Sequence, residues 1–285
     1  MYIFLTIFNY GTMYGMTNRI KIIFIGDVVG RSGRHIVKEK LPELKQRYGL
    51  DFVFCNAENS AGGIGITAIT AKELLESGVD GITLGNHIWG QRIWLQQARQ
   101  FKQVCKPLNA PAAWPGYDHV HIQQNDFSLV LISLMGQAFI QPALANPFRT
   151  IREQLPLLKD KYQTDNVIVD FHAESTAEKI TMGYLLEDKV SAVLGTHTHV
   201  QTADEKILGN GTAFICDVGM TGPMNGVLGM SRDTAVERAL NLMPASYRLE
   251  KDSLTGLNAV VLSLDPQTGK TINIERIQIV DNVFK

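Results

Sequence analysis

The sequence predicts a layered α/β fold carrying two packed sheets. Three observations lead there. Short β-like runs alternate with longer amphipathic stretches through the N-terminal third, and a second βα series begins near Val167. The early runs are almost continuously apolar, as expected of strands covered on both faces. No composition shift or Pro/Gly-rich linker divides the 285 residues, so they are read as one domain over residues 19–285.

The elements follow in order. Ile20 to Ile25 is a strand ending at Gly26-Asp27. Residues 33–48 carry Ile36, Val37, Leu41 and Leu44 near helical spacing. Asp51 to Cys55 is the next strand, followed by Asn56-Ala57-Glu58-Asn59. Thr67 to Ser77 reads as a helix, Gly81 to Leu84 as a short strand ending at Gly85-Asn86-His87, and Ile93 to Phe101 as a helix. Pro107 to Gly116 is a proline-rich loop. Val120 to Gln123 and Phe127 to Leu134 alternate like strands, and Arg149 to Tyr162 looks helical. Val167 to Val169 opens the second series, with a helix over Ala177 to Leu186 and strands at Ala192 to Leu194 and Thr212 to Asp217. Gly219 to Gly229 is glycine-rich and reads as a long shaped loop. Ala259 to Leu264 and Thr271 to Ile279 form a hairpin around Pro266-Gln267-Thr268-Gly269.

Residues 1–18 do not fit this pattern and are expected to form an extension outside the core, with Met13 and Met16 as alternative starts. The apolar stretch Tyr2 to Phe8 is too short for a membrane span, and no basic residue precedes it. Cys55, Cys105 and Cys216 have no CxxC spacing, and two of them fall in apolar strand-like runs. They read as reduced cysteines of a cytoplasmic protein. The formal net charge of −1 offers no basic field for nucleic acid or an anionic membrane, so no stable nucleic-acid binding is expected.

Four of the seven histidines stand at the ends of predicted strands. His197 and His199 are two residues apart in an emerging strand, so both rings can point to one side and reach one metal ion or two adjacent ions. Asp27, Glu58, Asn59, Asn86, His87 and His172 share that placement. Four of them have an ordinary alternative. Asp27 can be a helix N-cap, Glu58 a solvated loop carboxylate, Asn86 a turn residue and His172 a core histidine. Together they line the carboxyl edge where open α/β sheets bind ligands. Nitrogen and oxygen donors without thiolate favour Fe, Mn or Zn over structural zinc.

Rival motifs are weaker. Gly26-Asp27-Val28-Val29-Gly30-Arg31-Ser32-Gly33 matches neither GxGxxG nor a Walker loop. No Gly-x-Ser-x-Gly elbow occurs. Amidohydrolase barrels also use His-x-His, but on their first strand.

The ordered set Gly26-Asp27-Val28-Val29-Gly30, Asn56-Ala57-Glu58-Asn59, Gly85-Asn86-His87, Asp170-Phe171-His172-Ala173-Glu174 and Gly195-Thr196-His197-Thr198-His199 resembles the calcineurin-like metallophosphoesterases. The resemblance covers residues 20–280 and is closest to the bacterial 2′,3′-cyclic-nucleotide 2′-phosphodiesterase subgroup, in which the bridging acid is Glu. It implies a four-layer α/β/β/α sandwich and a site for two divalent or mixed-valence transition metal ions, Fe or Mn above all, with Zn compatible. Asp27, Glu58, Asn59 and His199 would hold one ion. Glu58, Asn86, His172 and His197 would hold the other. His87 would be the general acid in an attack by metal-bridged hydroxide on a small phosphodiester, a cyclic nucleotide. Asp170 and Glu174 are candidate partners behind the histidines. Trp89-Gly90 departs from the subgroup, which often has Trp-Asp there. Other phosphoesterase activities, as phosphomonoesterase or nuclease, and a regulatory nucleotide- or metal-binding role are the alternatives. Homo-oligomerisation is left open.

Overall fold

The structure, a computed structural model, describes residues 19–242, 246, 248–251 and 254–282. The expected extension over residues 1–18, with its two alternative starts, lies outside the described residues. The elements are β1 (Ile20–Ile25), β2 (Asp27–Val28), α1 (Gly30–Tyr48), β3 (Phe52–Asn56), α2 (Ala68–Glu76), β4 (Gly81–Thr83), α3 (Trp94–Gln97), β5 (Val104–Cys105), β6 (His119–Gln124), β7 (Phe127–Met135) and α4 (Pro147–Tyr162). Then come β8 (Val167–His172), α5 (Thr176–Leu185), β9 (Ala192–Thr196), β10 (Lys206–Leu208), β11 (Thr212–Ile215), β12 (Met220–Pro223), α6 (Arg232–Asn241), β13 (Leu254–Leu264) and β14 (Thr271–Asn282).

Among the described residues the first sheet runs β2-β12-β13-β1-β3-β4-β5, with β14 paired to β13. The second runs β10-β11-β9-β8-β7-β6. In the first sheet β1, β3 and β4 are mutually parallel, and in the second β7, β8, β9 and β11 are. The expected C-terminal hairpin is present as β13–β14, antiparallel over its length.

Strand periodicity sorts the apolar side chains into layers. Successive side chains of a strand point to opposite faces. In β1, Ile23 and Ile25 pack with Ile36, Val37 and Leu41 of α1 and Leu74 of α2. Ile22 and Phe24 point the other way, with Phe54 of β3, toward Leu129 and Leu131 of β7, Ile168 of β8 and Leu194 of β9. The outer face of the second sheet, including Val169 and Phe171, packs on Ile151 and Leu155 of α4 and Met182 of α5. Helix, sheet, sheet, helix is therefore the order of layers, and the four-layer α/β/β/α sandwich holds.

Differences from the expected elements have local causes. Helix α1 starts at Gly30, because the Gly33 amide already donates to the Val29 carbonyl. The helix expected from Ile93 to Phe101 is one α turn, followed by a 3₁₀ turn over Ala98–Gln100. The glycine-rich loop contains β12, which runs between β2 and β13. Helix α6 was not anticipated, since it buries none of its residues and so has no core-facing stripe. Cys55, Cys105 and Cys216 are free and buried, and no helix among the described residues is long and apolar enough to cross a membrane.

Phe54 is fully buried between the sheets, whereas Val236 on α6 is 51% exposed. Phe54→Ala is expected to cost about 3–5 kcal/mol in denaturant unfolding, and Val236→Ala under about 0.5 kcal/mol. Equal costs at the two positions would contradict this layering.

Candidate metal centre and active site

The carboxyl ends of β1, β3 and β4 in one sheet meet those of β8 and β9 in the other. Buried polar side chains gather at that edge. Asp27 and His172 are completely buried, and Glu58 and Asn59 nearly so. Burial on this scale costs several kcal/mol for an uncompensated charge, so each group needs a partner.

The partners tie the two sheets together. Glu58, just after β3, faces His172 Nε2 with its Oε1 at 3.0 Å, while its Oε2 accepts the His87 amide at 2.8 Å. His172 Nε2 is also 2.9 Å from Asn86 Oδ1 and 3.1 Å from His197 Nδ1. Donor atoms of Glu58, His172 and His197 lie within 4.8 Å of one another, so this trio can hold a metal ion. Asn86 closes the same group. Asp27 Oδ2 accepts the His197 amide at 3.1 Å, and Asp27 Oδ1 lies 3.9 Å from His172 Nδ1. Asn59 gives its Nδ2 to the Gly63 carbonyl, which fixes the amide.

Two observations show that the residues fit metal ions. Asp27 Oδ1 and Asn59 Oδ1 are buried acceptors with no hydrogen-bond donor among the described residues. Other buried polar atoms in the fold also lack a partner, but these two oxygens stand beside the Glu58–histidine group, where they suit ligation. The second observation is the direction in which each imidazole is held. The Thr196 hydroxyl gives its one proton to Asp170 Oδ1 at 2.6 Å, so it accepts from His172 Nδ1–H at 2.8 Å. His172 therefore turns Nε2 to the cluster. Glu174 Oε2 lies 3.1 Å from His197 Nε2, while Nδ1 faces inward, 3.1 Å from His172 Nε2. The Leu228 carbonyl accepts from His199 Nδ1 at 3.1 Å and leaves Nε2 available. Hydrogen bonds of this kind set ring orientation and tautomer in metal-ligating histidines.

The electrostatics follow from burial and these contacts. Burial alone would raise the Glu58 carboxyl, but the His172 charge and hydrogen bond, with the His87 contacts, hold it at about 2. Burial opposes a charged His172, yet Glu58, Asp27 and Asp170 lift it to about 9. His197 is pushed down to about 3, first by burial and then by the His172 charge. Asp27 is raised to about 6 by burial, against the pull of His199 and His172. His87 is lowered by burial, with Glu58 opposing.

The expected residues therefore come together. The simpler alternatives for several of them do not survive. Val29, not Asp27, is the N-cap of α1. Glu58 is shielded from solvent, and Asn86 contacts His172. His199 stands outside the tight trio but lines the same cleft, as do Glu58, Asn59, His87 and His197. Both expected backing acids lie beside histidines, Glu174 next to His197 at the cleft and Asp170 deeper, behind His172. Asp170 reaches His172 through Thr196, and also accepts from Asn56 at 3.0 Å and Thr83 at 2.5 Å. Gly85 is required by close approach, since a Cβ there would lie 2.2 Å from the His172 ring. At Gly90, where the subgroup often has Asp, a Cβ would lie 2.8 Å from the Gly65 amide nitrogen. Two loops touch through glycine backbone at that point, which an acidic side chain would force apart.

Sequence reasoning missed the clamp behind His-x-His. His197 and His199 both adopt left-handed φ angles, 101° and 64°. Such conformations cost about 1–3 kcal/mol each and persist where surroundings impose them. Thr198 between them gives its amide (3.0 Å) and hydroxyl (2.7 Å) to Asp217 Oδ2, and Lys179 Nζ meets the same oxygen at 2.7 Å. Asp217 Oδ1 takes the Gly219 amide at 2.8 Å. Lys179 sits on α5 among core residues, and its hydrophilic type in a helical pattern reads as surface. Its burial was the only available signal, and sequence does not show burial.

The comparisons with known proteins fit this geometry. A family model described as "YmdB-like protein" matches residues 23–277. The chain belongs to the YmdB-like family. It is 41% identical over 263 residues to the 2′,3′-cyclic-nucleotide 2′-phosphodiesterase of Bacillus subtilis, covering 92% of this chain and 98% of that one. A crystal structure from Mycoplasma pneumoniae, described as a novel phosphatase, superposes with a TM-score of 0.87 at 35% identity, covering 94% of this chain and 95% of that one. A Staphylococcus aureus putative 5′-nucleotidase shares the fold with a TM-score of 0.61 at 17% identity, over 93% of this chain and 55% of its own. The metallophosphoesterase resemblance read from the motifs is borne out, and this YmdB-like chain is a hydrolytic phosphoesterase.

Two substitutions test this construction. Thr196→Val removes the hydroxyl between Asp170 and His172 and is expected to weaken metal binding about 10–100-fold, read by titration of metal-free protein; Thr196→Ser should restore it. Lys179→Met leaves Asp217 buried without its countercharge and should cost about 3–5 kcal/mol in unfolding free energy.

Proposed function

We propose that this YmdB-like protein hydrolyses the 2′ bond of nucleoside 2′,3′-cyclic phosphates at a dinuclear metal site. The observation that carries the reading is the doubled donor set around Glu58. Its Oε1 belongs to the Asn86, His172 and His197 group, while Asp27 and Asn59 present unpartnered oxygens at the same edge. Asp27, Glu58, Asn59 and His199 would hold one ion, and Glu58, Asn86, His172 and His197 the other. Fe or Mn suits these nitrogen and oxygen donors best, and Zn is compatible. Bound ions of this kind lower the pKa of water and neutralise phosphate charge.

The chain's own residues supply orientation and a proton. Asp170, Thr196 and Glu174 hold the histidine rings so that no reorientation accompanies binding. In-line displacement breaks the bond from phosphorus to the ribose 2′ oxygen and forms one from phosphorus to a water-derived oxygen. The product is a 3′-phosphate. The leaving 2′ oxygen needs a proton, and His87 lines the cleft to give it. Its lowered pKa makes the protonated ring a readier donor. Asn86 Nδ2 lies 3.4 Å from His87 Nε2, and the His87 amide is anchored on Glu58, so the acid is positioned by candidate ligands. The small substrate accords with the net charge of −1, which supplies no track for a long polyanion.

His87→Ala should keep its metal content and lose about 10²–10⁴-fold in kcat. Turnover of 2′,3′-cyclic AMP, 3′,5′-cyclic AMP and an aryl phosphomonoester by protein reloaded with Mn, Fe(II) or Zn checks the substrate class. Efficient turnover of the phosphomonoester alone would overturn the cyclic-nucleotide reading in favour of a phosphomonoesterase.

A further inference from the structure

The cleft over the candidate ligands encloses about 680 Å³ and has two walls of different chemistry. One wall is the Glu58–histidine edge. The other is made by Val227, Leu228, Met230, Ala235, Arg238 and Ala239, and Ile64 of the loop after Glu58 also lines the cleft. Apolar side chains at that mouth are left open to water: Ile64 is 40%, Val227 46% and Leu228 48% exposed. Contiguous apolar surface rimmed by polar groups marks a place for a ligand.

This second wall is fixed to the first. Leu228 adopts a left-handed φ of 53° and accepts His199 Nδ1–H on its carbonyl. Val227 and Met230 pair across the turn at 2.8 and 2.9 Å. The turn leads into α6, where Ala235, Arg238 and Ala239 stand at i, i+3 and i+4 and so share the face that lines the cleft. Two alanines leave space there, and one guanidinium projects from between them.

That guanidinium is exposed in the last turn of α6, at the negative end of the helix dipole, and lines the cleft. Among the described residues, Arg34 pairs with Glu73, Arg276 with Glu205 and Arg232 with Asp233, whereas Arg238 pairs with no acid. An arginine is always charged, and its planar fork matches phosphate oxygens. A nucleoside 2′,3′-cyclic phosphate has one phosphate, which the candidate metal edge would hold. The charge of Arg238 is then surplus to such a substrate.

We propose that the α6 wall is a subsite for a second phosphate, carried on the 5′ oxygen of the same nucleoside. The preferred substrate is then a 5′-phosphorylated nucleoside 2′,3′-cyclic phosphate, either free or as the last residue of a very short RNA fragment. The inference rests on the cyclic-nucleotide reading above. Among the described residues that line this wall, Arg238 alone offers side-chain hydrogen-bond donors, so the base packs by its face and its edge goes unread. A single arginine and a net charge of −1 limit the recognised chain to about one extra phosphate.

The test uses the full chain loaded with metal and compares 2′,3′-cyclic AMP with the same nucleotide carrying a 5′-phosphate. Wild type should prefer the 5′-phosphorylated compound by about tenfold or more in kcat/KM, through KM. Arg238→Gln should bring the ratio to about one, and Arg238→Lys should keep part of it. Adenosine 3′,5′-bisphosphate should likewise bind more tightly than 3′-AMP by calorimetry, and Arg238→Gln should remove the difference. A wild-type ratio near one, or a preference that survives Arg238→Gln, overturns the subsite. If neither cyclic compound is hydrolysed, the cyclic-nucleotide reading fails, and the calorimetric difference still decides whether Arg238 holds a second phosphate.

Discussion

The carboxylate of Glu58 is the point at which the two sheets are joined chemically. One oxygen meets an imidazole from the second sheet, and the other accepts an amide from the loop after β4 in the first. The first contact crosses between the sheets, and the second ties two loops of the first sheet to each other. Because the group is shielded from water, its charge persists only if both layers deliver their partners. The apolar layer containing Phe24, Phe54 and Leu131 brings the sheets together. The buried charge then demands one registration of their carboxyl edges.

A second tier of residues makes that registration specific. Asp170 in β8 takes hydrogen bonds from Asn56 in β3, Thr83 in β4 and Thr196 in β9. One buried acid thus reads the positions of three other strands. Burial raises its pKa, and the His172 charge and these three hydrogen bonds work against that rise. Asp217 performs a similar task behind Thr198, with Lys179 as its countercharge. These hydrogen bonds hold the inner ring of donors from behind, the kind of support that a precisely placed site needs.

The cleft divides its labour between rigid and lightly built walls. The donor edge rests on strand ends deep in the molecule. The facing wall is a strained turn and a helix with no buried residue. The polar donor set thus rests on buried strand ends, and the facing wall on exposed periphery. The hydrogen bond from His199 to Leu228 couples the two.

Much of this was legible in the chain itself. Continuous apolar runs, amphipathic helices and polar residues at strand ends are local patterns, so the layered fold and the set from Asp27 to His199 could be read directly. What the sequence determined by itself was which residue types stand at which strand ends. Only the tertiary structure decided how each imidazole turns, because Thr196, Glu174 and the Leu228 carbonyl act across space on rings that they do not adjoin in a repeating pattern. It also decided that Lys179 is buried, that β12 inside a glycine-rich loop is a strand, and that α6 lines the cleft. Strand pairing is set by the partner, and burial by everything that surrounds a residue. Neither is contained in local spacing.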